Sequence, residues 1–437
     1  MKKLKYLILL VIILVGAFLR IYKIDTYLNF SGELGDNLLQ VRTLISNNQF
    51  PLQGPPTSHP WLYFSPLYYW MLIPVEGFLN YDPLGPVYLG ELLGIGLILV
   101  NYLTIRKFFD EKVALIASFL MAISPLWVSF SRDSRFYFWL VLFFYPLFYL
   151  FVRIKRDKKS YDLLLGLIWG LMLGFHYSPV IFLPLIIFCL KKPLRFLIGL
   201  VFTFIPLLLY DSGQKFYMFK NLVLWFPYRV AGFLHLYPKN NVDVGSILTS
   251  LQSFTQVVGP TVILTVIISI GLTFLYIKNS KDYRYIFIFY STLIMILAAI
   301  IHGGSPIHYF LPIFPIPIIV TAILLDSLNS RKGGWIFQVI ILVLLSLGSV
   351  FNFKNKILVD GGIPYPTQVA TAKYIVRDAN GRPFILNRIG PGDYFPEEYS
   401  QNYQYLLWYF GNRPQNGKEL KYTIIEYSTT NLMIIKS

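Results

Sequence analysis

Two carboxylates three residues apart, Glu33 and Asp36, are the side chains whose type and spacing best suit chemistry. That separation puts both on one side of a helical turn, provided Gly35 between them stays helical. A carboxylate near a membrane surface can orient a hydroxyl and take its proton; the plain alternative is a solvated loop face. Both lie in a polar stretch from Asp25 to Trp70, which also carries a Gly54-Pro55-Pro56 turn and the aromatic pair Tyr68 and Tyr69. Further on, Asp133 falls between Arg132 and Arg135 in SPLWVSFSRDSRFYFW, where a local salt bridge competes with a functional role. His176, His302 and His308 stand at the ends of apolar runs. A histidine at membrane depth usually faces the protein interior. Structural hydrogen bonding therefore outweighs a substrate contact for His176, and interfacial anchoring does so for His302 and His308. Asp211, in PLLLYD, either faces a cavity or caps a span, and Glu91 is an acid within an apolar run. No His, Asp and Glu cluster has metal-ligand spacing, so no obligatory metal or other cofactor is expected; a divalent ion is the alternative. The single cysteine, Cys189, excludes an intrachain disulfide and a Cys-based metal site.

The elements that must position these residues are hydrocarbon-seeking. The chain of 437 residues is 55% hydrophobic and only 14% charged, against about 25% charge in soluble domains. It reads as an all-α polytopic membrane protein with about eleven transmembrane helices. The net charge of +16 is concentrated in short loops between apolar runs, which is the positive-inside bias and not a nucleic-acid surface. The first run, Lys5 to Ile21, meets Arg20 and no small-residue cleavage site, so it reads as an uncleaved span. The basic loops at Arg106, at Arg153 to Lys159, at Lys191 to Arg195, at Lys278 to Arg284 and at Arg331 fall on one side. The N-terminus is then cytoplasmic and the C-terminus extracytoplasmic, in a cell membrane crossed many times.

That topology leaves two long outer loops, 24–86 and 211–259. In the first, Gly35 to Ser46 has the pattern of an amphipathic helix lying in the membrane interface, and Pro66 to Leu79 is too short to span. The second holds Lys215, Lys220 and Arg229 among aromatic residues, with Phe216 to Leu236 reading as interfacial helix. Residues 1–352 form the membrane domain and 353–437 a small extracytoplasmic α/β domain. In that tail Pro366 to Asp378 and Ser400 to Phe410 read as helices, and Arg382 to Arg388 and Lys421 to Tyr427 as strands.

The order of these features resembles the GT-C superfamily of membrane glycosyltransferases, in particular the dolichyl-phosphate-mannose protein mannosyltransferases and aminoarabinose transferases. Members often show Gly-Asp-Gln-Gly-Arg-Asp before an apolar helix, then Leu-Leu-Gly-Pro, then Gly-Pro-Leu-Tyr-Tyr. Here Gly32 and Gly35 match the glycines, and Glu33 takes the place of the first acid and Asn37 that of the second. Gln53-Gly54-Pro55 and Pro66-Leu67-Tyr68-Tyr69 follow in order. Two departures stand out: Glu33 is longer than Asp, and Asp36 falls where Arg is usual. Either is a candidate base. The resemblance implies transfer of a sugar from a polyprenyl-phosphate donor to an extracytoplasmic acceptor: a protein, a lipid or a cell-surface glycan. The leaving phosphate needs cations, and Lys215, Lys220, Arg229, Arg132 and Arg135 are the candidates. The resemblance adds Asp133 as an acid that holds such a cation. Tyr68, Tyr69, His176, Asp211 and His308 complete the expected cavity. A donor with one phosphate has less need of a metal than a pyrophosphate. The competing classes are a transporter or lipid flippase, and a non-catalytic membrane scaffold. Transporters place charges at mid-membrane and show broken, repeated helices, whereas this chain gathers its polar residues at one outer face.

Overall fold

The computed structural model describes residues 2–28, 30–236, 244–330, 332–358, 362–390, 400–415, 420–428 and 431–437. The expected basic position Arg331 and the segment 237–243 of the second loop lie outside them. The chain opens with α1 (Lys2–Ile21), then α2 (Gly32–Ser46) and α3 (Leu67–Phe78) in the first polar stretch. Next come α4 (Gly85–Phe108), α5 (Glu111–Ile123), α6 (Pro125–Asp133), a 3-10 turn Phe136–Phe143 running into α7 (Phe144–Asp157), and α8 (Asp162–Phe175). The segment Ser178–Phe182 leads into α9 (Leu183–Cys189), followed by α10 (Pro193–Gly213), α11 (Tyr217–Phe233) and α12 (Ile247–Thr255). The membrane part closes with α13 (Val262–Lys278), α14 (Tyr283–Ile301), the 3-10 turn Ile307–Ile313, α15 (Pro315–Leu328) and α16 (Gly334–Asn352).

Among the described residues, 6 helices are long and apolar enough to cross a membrane, or 8 if each of two bent pairs counts as one span. The expected eleven are not confirmed. The difference falls on Asp162–Phe175, Ser178–Cys189 and Val262–Lys278. At 1.5 Å per residue these are shorter than a hydrocarbon core of about 30 Å. The bent pairs are α5–α6, at 58°, and Ile307–Ile313 with α15, at 57°. Each second helix begins at a proline, which has no N–H to continue the preceding ladder. At the first bend Ser124 accepts from the Trp127 amide through its hydroxyl and so starts α6 in its new direction. The faces of α1, α10 and α16 carry exposed Phe18, Phe202 and Phe337 among many aliphatic neighbours, a surface that suits lipid and not water.

The tail is α17 (Tyr365–Ala379), β1 (Phe384–Ile389), α18 (Gln401–Tyr409), β2 (Leu420–Glu426) and β3 (Leu432–Lys436). β1 pairs parallel with β2, from Phe384 beside Leu420, and β2 pairs antiparallel with β3, ending at Glu426 beside Leu432. The four expected tail elements are all present within two residues of their expected bounds, and β3 is added. Its core is completed from the other end of the chain. Leu28, Phe30, Leu34 and Leu38 pack with Ile375, Phe384, Tyr405, Leu406 and Tyr422. The apolar face of α2 therefore lies against protein instead of the membrane interface. Close approach is possible because position 35 is glycine: a Cβ there would stand 2.5 Å from the Asn402 backbone nitrogen.

Candidate active site

The first turn of α2 carries Glu33, and its start is fixed by Ser31, whose hydroxyl accepts from the Leu34 amide at 3.3 Å. Facing it is the turn that ends α6. Asp133 closes the helix, Ser134 takes a left-handed conformation at φ 47°, and Arg135 begins the next 3-10 turn. This turn is pinned from two sides. Tyr68 of α3 donates to the Ser134 carbonyl at 2.9 Å, and the Ser134 hydroxyl donates to the Pro86 carbonyl. α6 can lie this close to α4 because position 90 is glycine; a Cβ there would be 2.5 Å from the Ser131 carbonyl oxygen.

The result is an ion-paired triad. Arg135 Nη1 stands 3.3 Å from Glu33 Oε2, and its Nε stands 2.9 Å from Asp133 Oδ2. Asp133 first, then Glu33, raise the Arg135 pKa against the opposing effect of burial, so the guanidinium stays charged. Tyr137 is also within hydrogen-bonding reach of Arg135, whose guanidinium carbon lies 6.0 Å from the Tyr137 ring centre. Asp36, one turn beyond Glu33, has a different environment. Burial pushes its pKa up to about 6, helped by the Glu33 charge and opposed by a hydrogen bond from Gln40. Tyr69 is buried beside it, and burial together with the Asp36 charge raises its phenol.

The histidines stand next to this group. His308 stacks on Tyr137, with centroids 4.6 Å apart and planes 17° from parallel. His176 lies edge-on to His308 at 5.5 Å. Its Nδ1 accepts from the Ser178 amide at 3.1 Å, which ties α8 to the segment after it. Tyr309 lies 5.0 Å from His176 and 5.4 Å from His302. The charge of Arg135 acts on His308, and that of Arg229 on Tyr309. Arg229 is partly covered and lies 5.7 Å from the Trp225 ring, which meets His59 edge-on. Burial, then Arg229, hold His59 below its ordinary pKa.

Other candidates are placed elsewhere. Arg132 is buried and donates to the carbonyls of Arg20 and Tyr22 at 3.0 Å and of Lys23 at 3.3 Å. It closes the end of α1. Glu91 lies buried near Arg132 and Arg20, accepting from the Ser131 hydroxyl at 3.3 Å. Asp211 is buried and accepts from the Met218 and Phe219 amides at 2.8 and 3.0 Å, so it caps the first turn of α11. Lys215 and Lys220 are exposed. Sequence reasoning missed Tyr137, although its place two residues after Arg135 in an aromatic run was a usable signal. It also missed Glu76. That buried carboxyl lies 3.0 Å from the Tyr405 hydroxyl of the tail, a contact between distant parts of the chain that no local pattern announces.

An apolar cavity of about 1110 Å³ lies beside α6, lined by Leu126, Leu264, Ile268, Leu324 and Leu345 with a few polar groups such as Ser129 and Gln256. Among the described residues, no group of three or more His, Cys, Asp or Glu side chains is placed to hold a metal ion.

Residues 63–210 match the family model described as dolichyl-phosphate-mannose-protein mannosyltransferase. No curated protein matches the chain. Among solved structures, ArnT from Cupriavidus metallidurans bound to undecaprenyl phosphate superposes with a TM-score of 0.61 at 10% identity, covering 99% of this chain and 97% of that one. The apo oligosaccharyltransferase of Archaeoglobus fulgidus gives 0.59 at 13% identity, covering 92% of this chain and 64% of that one. The oligosaccharyltransferase AglB from Archaeoglobus fulgidus, with an inhibitory peptide and a dolichol-phosphate, gives 0.53 at 14% identity, covering 93% of this chain and 64% of that one. This chain spans a little under two thirds of the oligosaccharyltransferase. At such identities the likeness is one of fold, and that fold is the one the outer-loop motifs resemble.

Proposed function

We propose that this chain, a GT-C-type membrane glycosyltransferase by family match and fold, moves a sugar from a polyprenyl-phosphate donor to an acceptor on the extracytoplasmic side. The observation that carries the reading is the Glu33–Arg135–Asp133 triad at the head of α2. It joins the two groups this transfer needs: a carboxylate to take a proton and a fixed cation for a phosphate. An acceptor oxygen attacks the anomeric carbon and gives its proton to Glu33. The bond from that carbon to the phosphate oxygen breaks, and the electron pair leaves on the phosphate. Arg135 stabilises the charge that develops there, with Arg229, whose charge acts on Tyr309 next to His176, as the second cation. Lys215 and Lys220, being exposed, and Arg132, being committed to α1, are weaker candidates.

The solved relatives support a lipid-linked donor, since ArnT was solved bound to undecaprenyl phosphate and AglB with a dolichol-phosphate. The apolar cavity beside α6 offers space for part of an isoprenoid chain. No metal enters this reading, in which Arg135 and Arg229 supply the positive charge. The N-terminus is cytoplasmic, and the triad and tail are outside.

The test is purified full-length protein in lipid nanodiscs given radiolabelled polyprenyl-phosphate sugars and a cell-envelope extract as acceptor, with release of polyprenyl phosphate measured in the presence and absence of a chelator. Chelator-resistant release with at least one donor is expected. Release that needs added divalent ion would overturn the metal-free mechanism. Absence of both binding and release across hexose and pentose donors would leave the transporter or flippase reading in its place.

A further inference from the structure

The membrane boundary opposite the triad carries a second cluster of charge, which the transfer chemistry does not use. α4 meets the active-site turn at Gly90 and runs on to Lys107, about 26 Å along its axis at 1.5 Å per residue. Its far end therefore lies near the other face of a hydrocarbon core about 30 Å thick. There the ends of α4 and α7 and the turn from α13 into α14 enclose a pocket of about 550 Å³. Its lining sets Lys107, Arg156, Lys281 and Arg284 against one carboxylate, Asp282.

These cations are held largely by groups that do not neutralise them. Lys107 donates to the Tyr149 hydroxyl at 3.2 Å and stands 4.5 Å from the centre of that ring. Arg284 donates to the Phe108 carbonyl, which ties α14 to the end of α4. It also takes up Asp282, with Nε 3.0 and 2.9 Å from the two carboxylate oxygens. Arg156 shares Asp157 with Arg153. Among the described residues, neither Lys107 nor Lys281 forms an ion pair, and both are exposed. The pocket thus keeps a surplus of positive charge. The positive-inside bias puts cations on one face of the membrane, but it does not gather them from three separate segments around a concavity. Phe108, Val152 and Tyr283 add apolar surface to the same lining. Charge beside hydrocarbon at a membrane boundary matches a lipid headgroup with the start of its chains, and not a free phosphate.

We propose that this pocket binds an anionic membrane phospholipid. Its phosphate meets Lys107 and Lys281, and its glycerol and upper acyl chains lie against the apolar side of the lining. The bound lipid joins the ends of α4, α7 and α14.

The experiment titrates full-length protein in mild detergent with dioleoylphosphatidylglycerol and counts bound lipid by native mass spectrometry. Dioleoylphosphatidylcholine is the zwitterionic control, and inorganic phosphate at constant ionic strength is the soluble one. One phosphatidylglycerol should stay bound under conditions that strip phosphatidylcholine. Each lysine near a charged headgroup is worth about 5-fold in affinity, so Lys107→Ala with Lys281→Ala should weaken binding about 30-fold. Lys191→Ala with Lys192→Ala removes the same charge from the turn before α10 and should leave binding close to that of the unaltered protein. If the first pair does not fold, Lys107→Gln with Lys281→Gln removes the charge and keeps more of each side chain. Equal losses in the two double variants would assign binding to overall charge and overturn the pocket. Equal retention of phosphatidylcholine would overturn the preference for an anionic lipid. Displacement of the lipid by inorganic phosphate would make this a site for a soluble anion and overturn the lipid.

Discussion

At the scale of single residues, the open choice is between two carboxylates one helical turn apart. Glu33 faces the cation and stands where the resembled family has its leading acid. Asp36 is covered, and its pKa is pushed up to about 6. Removing a positioned general base costs about 10²–10⁴-fold in rate. Glu33→Gln should therefore lose turnover by that factor while keeping donor affinity, and Glu33→Asp should recover part of it. Asp36→Asn should leave the rate within a few-fold. The pH profile separates the two independently. Asp36 gains its proton as pH falls through about 6, so a limb of the rate with that midpoint, lost in Asp36→Asn and kept in Glu33→Asp, would assign the base to Asp36 and remove Glu33 from that role.

At the scale of elements, the junction between α3 and the tail helix α18 has a proton at its centre. The Tyr405 hydroxyl lies 3.0 Å from Glu76 Oε2 and 2.7 Å from the Tyr81 carbonyl. The hydroxyl donates towards both acceptors with one hydrogen, so it holds the Glu76 carboxylate less firmly than an undivided hydrogen bond would. Burial pushes the Glu76 pKa up to about 7 despite the Tyr405 hydrogen bond, with Asp82 adding to the rise. The docked state thus holds a proton that an opened junction, with an ordinary carboxyl near 4.5, would release. Docking is then strongest below that lower value, weakens as pH rises through about 7, and levels off above. Hydrogen exchange of the α18 amides from pH 5 to pH 8.5, corrected for the intrinsic rate, should show this weakening. Glu76→Gln, which can donate without ionising, should flatten it; an unchanged pH slope in that variant would place the proton elsewhere.

At the scale of the whole molecule, α2 ties the membrane part to the tail, because its apolar face and the tail share one core. The triad at one end of that helix and the tail along its side should then lie on the same side of the membrane. Cysteines placed at Ser58 and Ser400 should both react with an impermeant thiol reagent in intact cells. The native Cys189 is buried and gives little background. Protection of both sites until lysis would invert the topology, and opposite behaviour of the two would contradict the shared core.

The membrane character was legible in the sequence because apolar runs and basic loops are local properties that hydrocarbon thickness and the positive-inside bias act on directly. So were the tail elements from Tyr365 to Glu426, whose periodicity is short-range. The motif order from Gly32 to Tyr69 likewise pointed to the right fold. The count of spans was not legible: the helix ends at Phe175 and Cys189 leave segments shorter than the hydrocarbon core, and those breaks do not show in a run of apolar residues. Nor was the partner of α2, because an amphipathic face shows only that something apolar covers it, and here that is the tail. The roles of the arginines were the least legible. Arg132 and Arg135 are three residues apart and chemically identical in sequence. A bend at Ser124–Pro125 and a left-handed turn at Ser134 send one to the carbonyls of α1 and the other to Glu33. Charge alone set what each could bind; only the packing of α6 against α1 and α4 decided which of them meets backbone carbonyls and which meets carboxylates.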